Sequence, residues 1–181
     1  MLQITIPGAE LFDERTGKRI RSKTTTLQLE HSLVSLSKWE SKWKKPYLNN
    51  TEITPEMRID YVRCMTLTQN VDPQVYQFLT QQNLEDIRAY IDDPMTATTF
   101  RQTNKPGGIN HVVTAEIIYY WMVTLGIPWD PCQKWHLNRL MTLIRVCDEK
   151  NAPKKKMGRK ETLARQRSIN QARRARYHTN G

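Results

Sequence analysis

The chain has 181 residues, 38% of them hydrophobic and 25% charged, which is enough to bury one hydrophobic core with an appendage but not two large cores. Its 28 Lys and Arg outnumber its 18 Asp and Glu by ten. Residues 151–181 contain ten basic residues against Glu161 alone, so residues 1–150 are nearly neutral, which disfavours a uniformly basic nucleic-acid-binding domain.

The first 30 residues have the alternating apolar and polar pattern of short β-strands. Leu2, Ile4 and Ile6 alternate with polar residues before a turn at Pro7-Gly8. We predict two or three short antiparallel strands, drawn from residues 2–6, 10–12, 18–21 and 27–29. So small a sheet is marginal alone, so we expect it to pack on helices. No charged region followed by an apolar run is present, so we expect no signal peptide and a cytoplasmic protein.

The apolar spacing then becomes helical, with Trp39 and Trp43 on one face of a predicted helix. Thr54-Pro55 and Asp72-Pro73 each place a capping residue before a proline, which predicts two further helix starts. Another short helix is predicted to end at Asp93-Pro94.

Residues 95–110 are rich in Thr, Asn and Gly, which predicts a long loop. Thr114 then caps a helix to Leu125 that is apolar almost all round, as in a central or interface helix. A buried strand is the alternative there. Asp130-Pro131 opens the longest predicted helix, which runs to about Glu149. Its inward face is Cys132, His136, Leu140, Ile144 and Cys147.

These elements predict an α+β protein that is mainly α. Residues 1–30 form short strands packed on the body, residues 31–150 form a helical domain, and residues 151–181 form a basic tail that is helical when bound. The cations of the tail are Lys154, Lys155, Lys156, Arg159, Lys160, Arg165, Arg167, Arg173, Arg174 and Arg176. We expect them to bind a partner electrostatically, and the pattern leaves nucleic acid and acidic protein both open.

Candidate metal and catalytic residues are few. Cys132 and His136 lie four residues apart, a spacing that places two zinc ligands on one helix face. The other candidate ligands, which share no recognisable spacing, are Cys64, Cys147, His31 and His111. The Cys and His candidates lie on faces predicted to be buried, where a thiol is not activated, and no phosphate-binding glycine pattern occurs. We therefore expect no metal, cofactor or enzymatic activity.

Lysines alternate with aromatic residues at Lys38-Trp39 and Lys42-Trp43, a composition typical of platforms that stack single-stranded nucleic acid. The tryptophans also fall at the spacing of a helix core. The interpretation that we favour is core aromatics flanked by solvated lysines.

Five stretches have a familiar sequence, namely 96–100 (TATTF), 114–122 (TAEIIYYWM), 126–128 (GIP), 134–140 (KWHLNRL) and 143–147 (LIRVC). Together they resemble small proteins encoded in the tail-morphogenesis genes of long-tailed bacteriophages, at the position usually taken by tail assembly chaperones. The resemblance covers roughly residues 30–157 and includes no catalytic or ligand motif.

The resemblance implies a non-enzymatic helical protein of the host bacterial cytoplasm that binds the long, aggregation-prone tape-measure protein and presents it to tail-tube subunits. The apolar residues that we expect to hold a partner helix are Tyr119, Tyr120, Trp121, Trp129 and Trp135. The tail adds electrostatic capture. Many members of this family use programmed frameshifting, and A-rich codons for the three lysines at 154–156 would provide a slippery site.

Two other functions remain open from the sequence. One is a structural virion protein, such as a connector, tube-associated or capsid-lining protein, whose basic tail contacts DNA or neighbouring subunits. The other is a nucleic-acid-binding regulator that uses the tail and the lysine–tryptophan segment.

Overall fold

A computed structural model describes residues 1–13, 17–48, 50–100, 112–151 and 158–177. The protein is 58% helix with a small antiparallel β-structure, which confirms the predicted α+β, mainly α class. The strands are β1 (Leu2–Ile6), β2 (Ala9–Asp13), β3 (Lys18–Ser22) and β4 (Thr25–Leu29). The helices are α1 (Leu33–Trp43), α2 (Pro55–Met65), α3 (Gln81–Asp92), α4 (Ala115–Thr124), α5 (Trp129–Cys132), α6 (Leu137–Asn151) and α7 (Arg159–Tyr177), with a 3₁₀ helix at Pro73–Phe78. The contacts divide the chain into two compact units, Met1–Asp148 and Glu149–Gly181.

The four strands form two antiparallel pairs, β1 with β4 and β2 with β3. Ile6 lies opposite Thr25 and Ala9 lies opposite Ser22, so both pairs share one register. The pairing is interrupted between them at Pro7, which has no N–H to donate to a ladder. The N-terminal strands are therefore one long hairpin with a break, and its β1–β4 end packs on the helices.

The first hydrophobic cluster packs the inner face of β1 and β4 against α1, α2, α3 and the 3₁₀ helix. Trp39 of α1 is fully buried there, and its indole N–H donates to the backbone carbonyl of Met57 at 2.9 Å. Trp43 is partly buried against the same cluster. The prediction that these tryptophans are core residues is confirmed, so Trp39 is not available to stack on a nucleic-acid base.

The second hydrophobic cluster lies between α1, α4 and α6. Leu33 and Leu36 of α1 meet Ile118 and Met122 of α4 and Leu140 of α6, all at 0% exposure. Because α1 contributes to both clusters, it is the central helix of the body. The helix predicted up to Leu125 is confirmed as α4, and the strand alternative is wrong.

The helix predicted from Asp130-Pro131 is wrong at its start. Asp130 has extended dihedral angles (φ −102°, ψ 129°), as expected for a residue before proline, so α5 is a single turn. The following segment pairs with the start of α1 instead, where the Leu137 N–H donates to the His31 carbonyl at 2.7 Å. A separate helix, α6, begins only at Leu137, and α7, with 19 residues, is longer than it.

The predicted loop at residues 95–110 is described only in part. Residues 95–100 contain neither helix nor strand, and residues 101–110 lie outside the described residues. The helix start predicted at Asp72-Pro73 is confirmed as the 3₁₀ helix, with the Asp72 carboxylate accepting from the Gln74 N–H at 2.9 Å.

Two threonines at N-cap positions provide a matched test of helix capping. The Thr54 hydroxyl accepts from the Met57 N–H at 3.3 Å, whereas the Thr114 side chain makes no such bond at the start of α4. We expect Thr54→Ala to lower the free energy of unfolding by about 1 kcal/mol and Thr114→Ala by less than half of that. Urea denaturation of both variants measures the difference, and equal losses would contradict it.

Candidate functional site

An apolar surface lies on the outer side of α4 and on α5. Ile118 and Met122 of α4 point into the second cluster, whereas Tyr120 and Val123 are 65% and 60% exposed. Trp129 of α5 is 54% exposed. We call Tyr120, Val123 and Trp129 the aromatic face. Bulky apolar side chains that cluster at the surface of a body commonly mark an interaction site.

The aromatic face rests on partly buried neighbours. The Tyr119 and Trp129 rings lie 5.2 Å apart between centroids, and the Tyr119 hydroxyl donates to the Gln133 side-chain carbonyl at 3.2 Å. Burial raises the pKa of Tyr119, so the hydroxyl stays a donor. The contact with Tyr119 holds the Trp129 indole against α4, and about half of the Trp129 side chain stays exposed.

The five aromatic residues predicted to bind a partner thus separate into two groups. Tyr120 and Trp129 are exposed. Tyr119, Trp121 and Trp135 are partly buried against the second cluster, and the Arg139 guanidinium lies 4.5 Å above the Trp135 ring. The sequence analysis missed Val123, whose position three residues after Tyr120 was the available signal.

A second candidate site is a cleft of about 420 Å³ lined by residues of α1, α2 and the 3₁₀ helix. Lys38 and Lys42 of α1 and Arg63 of α2 bring three positive charges to it, beside the carboxylate of Asp60. The other lining residues are Cys64, Val71, Pro73 and Tyr76. Its lining is therefore basic on balance.

Asp60 organises this cleft. Although it is only 5% exposed, its carboxylate accepts from Lys42 Nζ at 2.5 Å and from the Trp43 indole N–H at 2.8 Å. Burial, and then the Asp60 charge, raise the pKa of the Cys64 thiol, which favours its unreactive protonated form. Lys42 and Trp43 thus share an acidic partner in the fold, and the cleft does not activate its cysteine.

A buried polar cluster occupies the junction between β4, α1 and α6. His31 Nδ1 lies 2.7 Å from the Tyr61 hydroxyl, and the His31 and His136 ring centroids are 5.1 Å apart. His136 donates from Nε2 to the Tyr90 carbonyl at 2.9 Å and accepts at Nδ1 from the Asn138 N–H. Both ring nitrogens of His136 are therefore occupied by structural hydrogen bonds.

The buried polar cluster contains two of the candidate metal ligands, His31 and His136. Burial, together with the neighbouring His136, lowers the pKa of His31 to about 3, so this imidazole is neutral at physiological pH. Cys64, Cys132 and Cys147 are free thiols. Within the described ranges, no three or more His, Cys, Asp or Glu side chains are grouped so as to hold a metal ion.

Glu40 is a buried carboxylate that the sequence analysis did not single out. It is 7% exposed and accepts from the Tyr47 N–H at 3.0 Å and from the Ala115 N–H, the first of α4, at 2.8 Å. Glu40 therefore caps α4 from another helix, which explains why Thr114 does not need to. Burial raises the pKa of Glu40, and the two backbone donors oppose that rise.

The basic tail is described from residue 158 to residue 177. Lys154, Lys155 and Lys156 lie outside the described residues, and Arg159 is described only by its place at the start of α7. The remaining predicted cations, all exposed on α7, are Lys160, Arg165, Arg167, Arg173, Arg174 and Arg176. Every described side chain of α7 is exposed.

Comparison with known proteins gives no relative for this arrangement. No family model matches the chain, and neither a curated protein nor a solved structure matches it. In the part of the chain that the structure describes, no helix has both the length and the apolar content to cross a membrane.

Proposed function

We propose that this protein is a non-enzymatic tail assembly factor of a tailed bacteriophage, and that its aromatic face holds an amphipathic helix of the tape-measure protein. The observation that carries the proposal is the exposure of Tyr120, Val123 and Trp129 on the two helices α4 and α5, beside the second hydrophobic cluster. The sequence resemblance to tail-morphogenesis proteins supplies the partner.

The chemistry of the aromatic face suits a helical partner. Tyr120 and Val123 lie three residues apart on one helix, so they form a ridge along α4. Apolar residues spaced three, four and seven apart on a partner helix fit such a ridge. Aromatic rings supply much contact area at low cost in conformational entropy, and they are frequent anchors of binding energy.

Co-expression with the tape-measure protein tests the proposal. We expect the full chain to co-purify with the tape-measure protein and to keep it soluble at low salt. Tyr120→Ser combined with Trp129→Ser should weaken this association at least tenfold, because each substitution removes an apolar anchor. Pull-down yield and soluble tape-measure protein are the measurements.

A matched control is available in Leu67, which is 54% exposed and far from α4 in sequence. Leu67→Ser should leave the association unchanged. We expect Tyr120→Ser and Leu67→Ser to change stability by no more than about 0.5 kcal/mol each, and Trp129→Ser, which also loses the Tyr119 ring contact, to lower it by about 1 kcal/mol. Failure of the parent chain to co-purify, or equal binding by the double variant, would contradict the proposal.

Mass spectrometry of purified virions separates this proposal from a structural virion protein. An assembly factor should be absent from mature particles, whereas a connector, tube-associated or capsid-lining protein should be present at a fixed copy number. Detection at fixed copy number would therefore replace the proposed function with the structural one.

A further inference from the structure

The basic helix α7 has no apolar stripe. Its 19 residues contain seven Lys and Arg against Glu161 alone. Leu163 and Ile169, its large aliphatic residues, are 49% and 44% exposed. At 3.6 residues per turn they fall about 120° apart around the helix, and Tyr177 falls between them but eight residues beyond Ile169, so the three do not form a continuous docking line. A helix without such a line is poorly suited to a hydrophobic groove or a membrane surface.

The side chains of α7 nevertheless follow an order around the helix. One line holds Gln166, Asn170 and Arg173, spaced four and then three residues apart. Opposite that line are the small residues Ala164, Ser168 and Ala175, and Gln171 and Ala172 lie at the two edges of that side.

Cations flank the line on both sides. Arg165 and Arg176 fall on one flank, and Lys160, Arg167 and Arg174 fall on the other. Between these flanks lie Gln166 and Asn170, with Leu163 and Ile169 about 60° to either side of their line. Positive charge on two flanks matches a ligand that places negative charge on two walls around the helix. An acidic protein surface would contact one side of the helix only.

We infer that α7 binds in the major groove of double-stranded DNA, with its two cationic flanks on the phosphate walls and the Gln166–Asn170–Arg173 line toward the base edges. A helix with its side chains is about 10–12 Å in diameter, and the major groove is about 12 Å wide. Asn and Gln pair with adenine there and Arg pairs with guanine. The major groove of A-form RNA is too deep and narrow for such contacts.

This surface shares no residue with the aromatic face, so the two proposals assign an apolar site for a protein and a cationic site for DNA to different parts of the chain. The inference does not depend on the proposed function. The variants that test it lie in α7 and are measured by DNA binding, whereas the variants that test the proposed function lie in α4 and α5 and are measured by co-expression.

Two aspartate substitutions on opposite sides of α7 test the inference. Asn170→Asp places a negative charge toward the bases, whereas Ser168→Asp places the same charge on the opposite side. Fluorescence anisotropy with the full chain and a labelled 20-base-pair duplex of mixed sequence measures both. We expect Asn170→Asp to weaken duplex binding at least tenfold and Ser168→Asp no more than threefold. Equal weakening would overturn the groove geometry.

The salt dependence tests the two flanks. Arg165→Gln with Arg176→Gln, and separately Arg167→Gln with Arg174→Gln, should each reduce the slope of log affinity against log salt by about 2. The control, Arg58→Gln with Arg88→Gln, removes two exposed cations from the body and should leave the slope unchanged. Gln and Arg have similar helix propensities, so the helix is retained.

The parent chain provides the remaining outcomes. We expect it to bind the duplex with a dissociation constant on the order of 1–100 μM at physiological salt, and a single strand of equal phosphate number at least tenfold more weakly. No duplex binding in this range, or equal affinity for the single strand and for heparin, would overturn the inference, because non-specific attraction of polyanions would then suffice.

Discussion

Replacing Glu40 with alanine is expected to lower the free energy of unfolding by about 3 kcal/mol. The substitution leaves two N–H groups without their acceptor, the buried one of Ala115 and the partly buried one of Tyr47. It also removes a negative charge from the N-terminus of α4, where the helix dipole favours one. Chemical denaturation measures the loss.

Two further variants calibrate the result. Glu40→Gln keeps one carbonyl acceptor but turns an amide donor toward the other N–H, so we expect about half of the loss caused by alanine. Glu52→Ala removes an acid that is 81% exposed and lies 3.9 Å from Lys45, and it should cost less than about 0.5 kcal/mol. A loss at position 40 no larger than that at position 52 would contradict the capping role.

Lowering the pH from 7 to 5 is expected to cost the protein about 2 kcal/mol through His31 alone. The pKa of His31 is about 3 in the folded state, against 6.5 in an unfolded chain. Between those values the unfolded state binds a proton that the folded state does not, so stability falls by about 1.4 kcal/mol per pH unit below 6.5. The contribution is fully present above pH 6.5.

His31→Gln removes the titrating group, so its stability should fall less steeply with decreasing pH than that of the parent. Tyr61→Phe is the matched control, because it removes the same 2.7 Å contact and leaves His31 in place. Its pH dependence should stay that of the parent. The raised pKa of Glu40 acts in the opposite sense, since its contribution is lost as pH rises, and comparing variants at equal pH cancels it.

The elements set by neighbouring residues were predictable. Thr54-Pro55 and Asp72-Pro73 begin helical segments because a capping side chain and a fixed proline φ act within one turn. The alternation of apolar and polar residues in β1 and the helical spacing of Trp39 also predicted the buried side chains correctly, since one side of each element faces the first cluster.

The elements set by distant residues were not predictable. No local sequence signal marks Glu40 as a buried capping residue, and its partner Ala115 lies 75 positions away. The start of α6 depends on a hydrogen bond between Leu137 and His31, which a local helix signal at Asp130-Pro131 cannot reveal. Tertiary pairing therefore decided both features.

The candidate sites divide in the same way. The sequence of α4 is apolar almost all round, so it identified Tyr120 as a candidate but could not show which side the core would take. The line of Gln166, Asn170 and Arg173 was present in the sequence at helical spacing. The number of cations does not predict that line, because total charge carries no information about the direction in which each side chain leaves the helix.

Because α1 contributes residues to both hydrophobic clusters, the first cluster can form before the second during synthesis from the N-terminus. All buried residues of the first cluster lie between Ile4 and Tyr90, whereas the second needs residues up to Ile144. At about 5–20 residues per second, the ribosome adds the residues from Tyr90 to Ile144 in roughly 3–11 s. During that interval one side of α1 is packed in the first cluster. The side with Leu33 and Leu36 is not yet packed, because α4 and α6 have not both been synthesised.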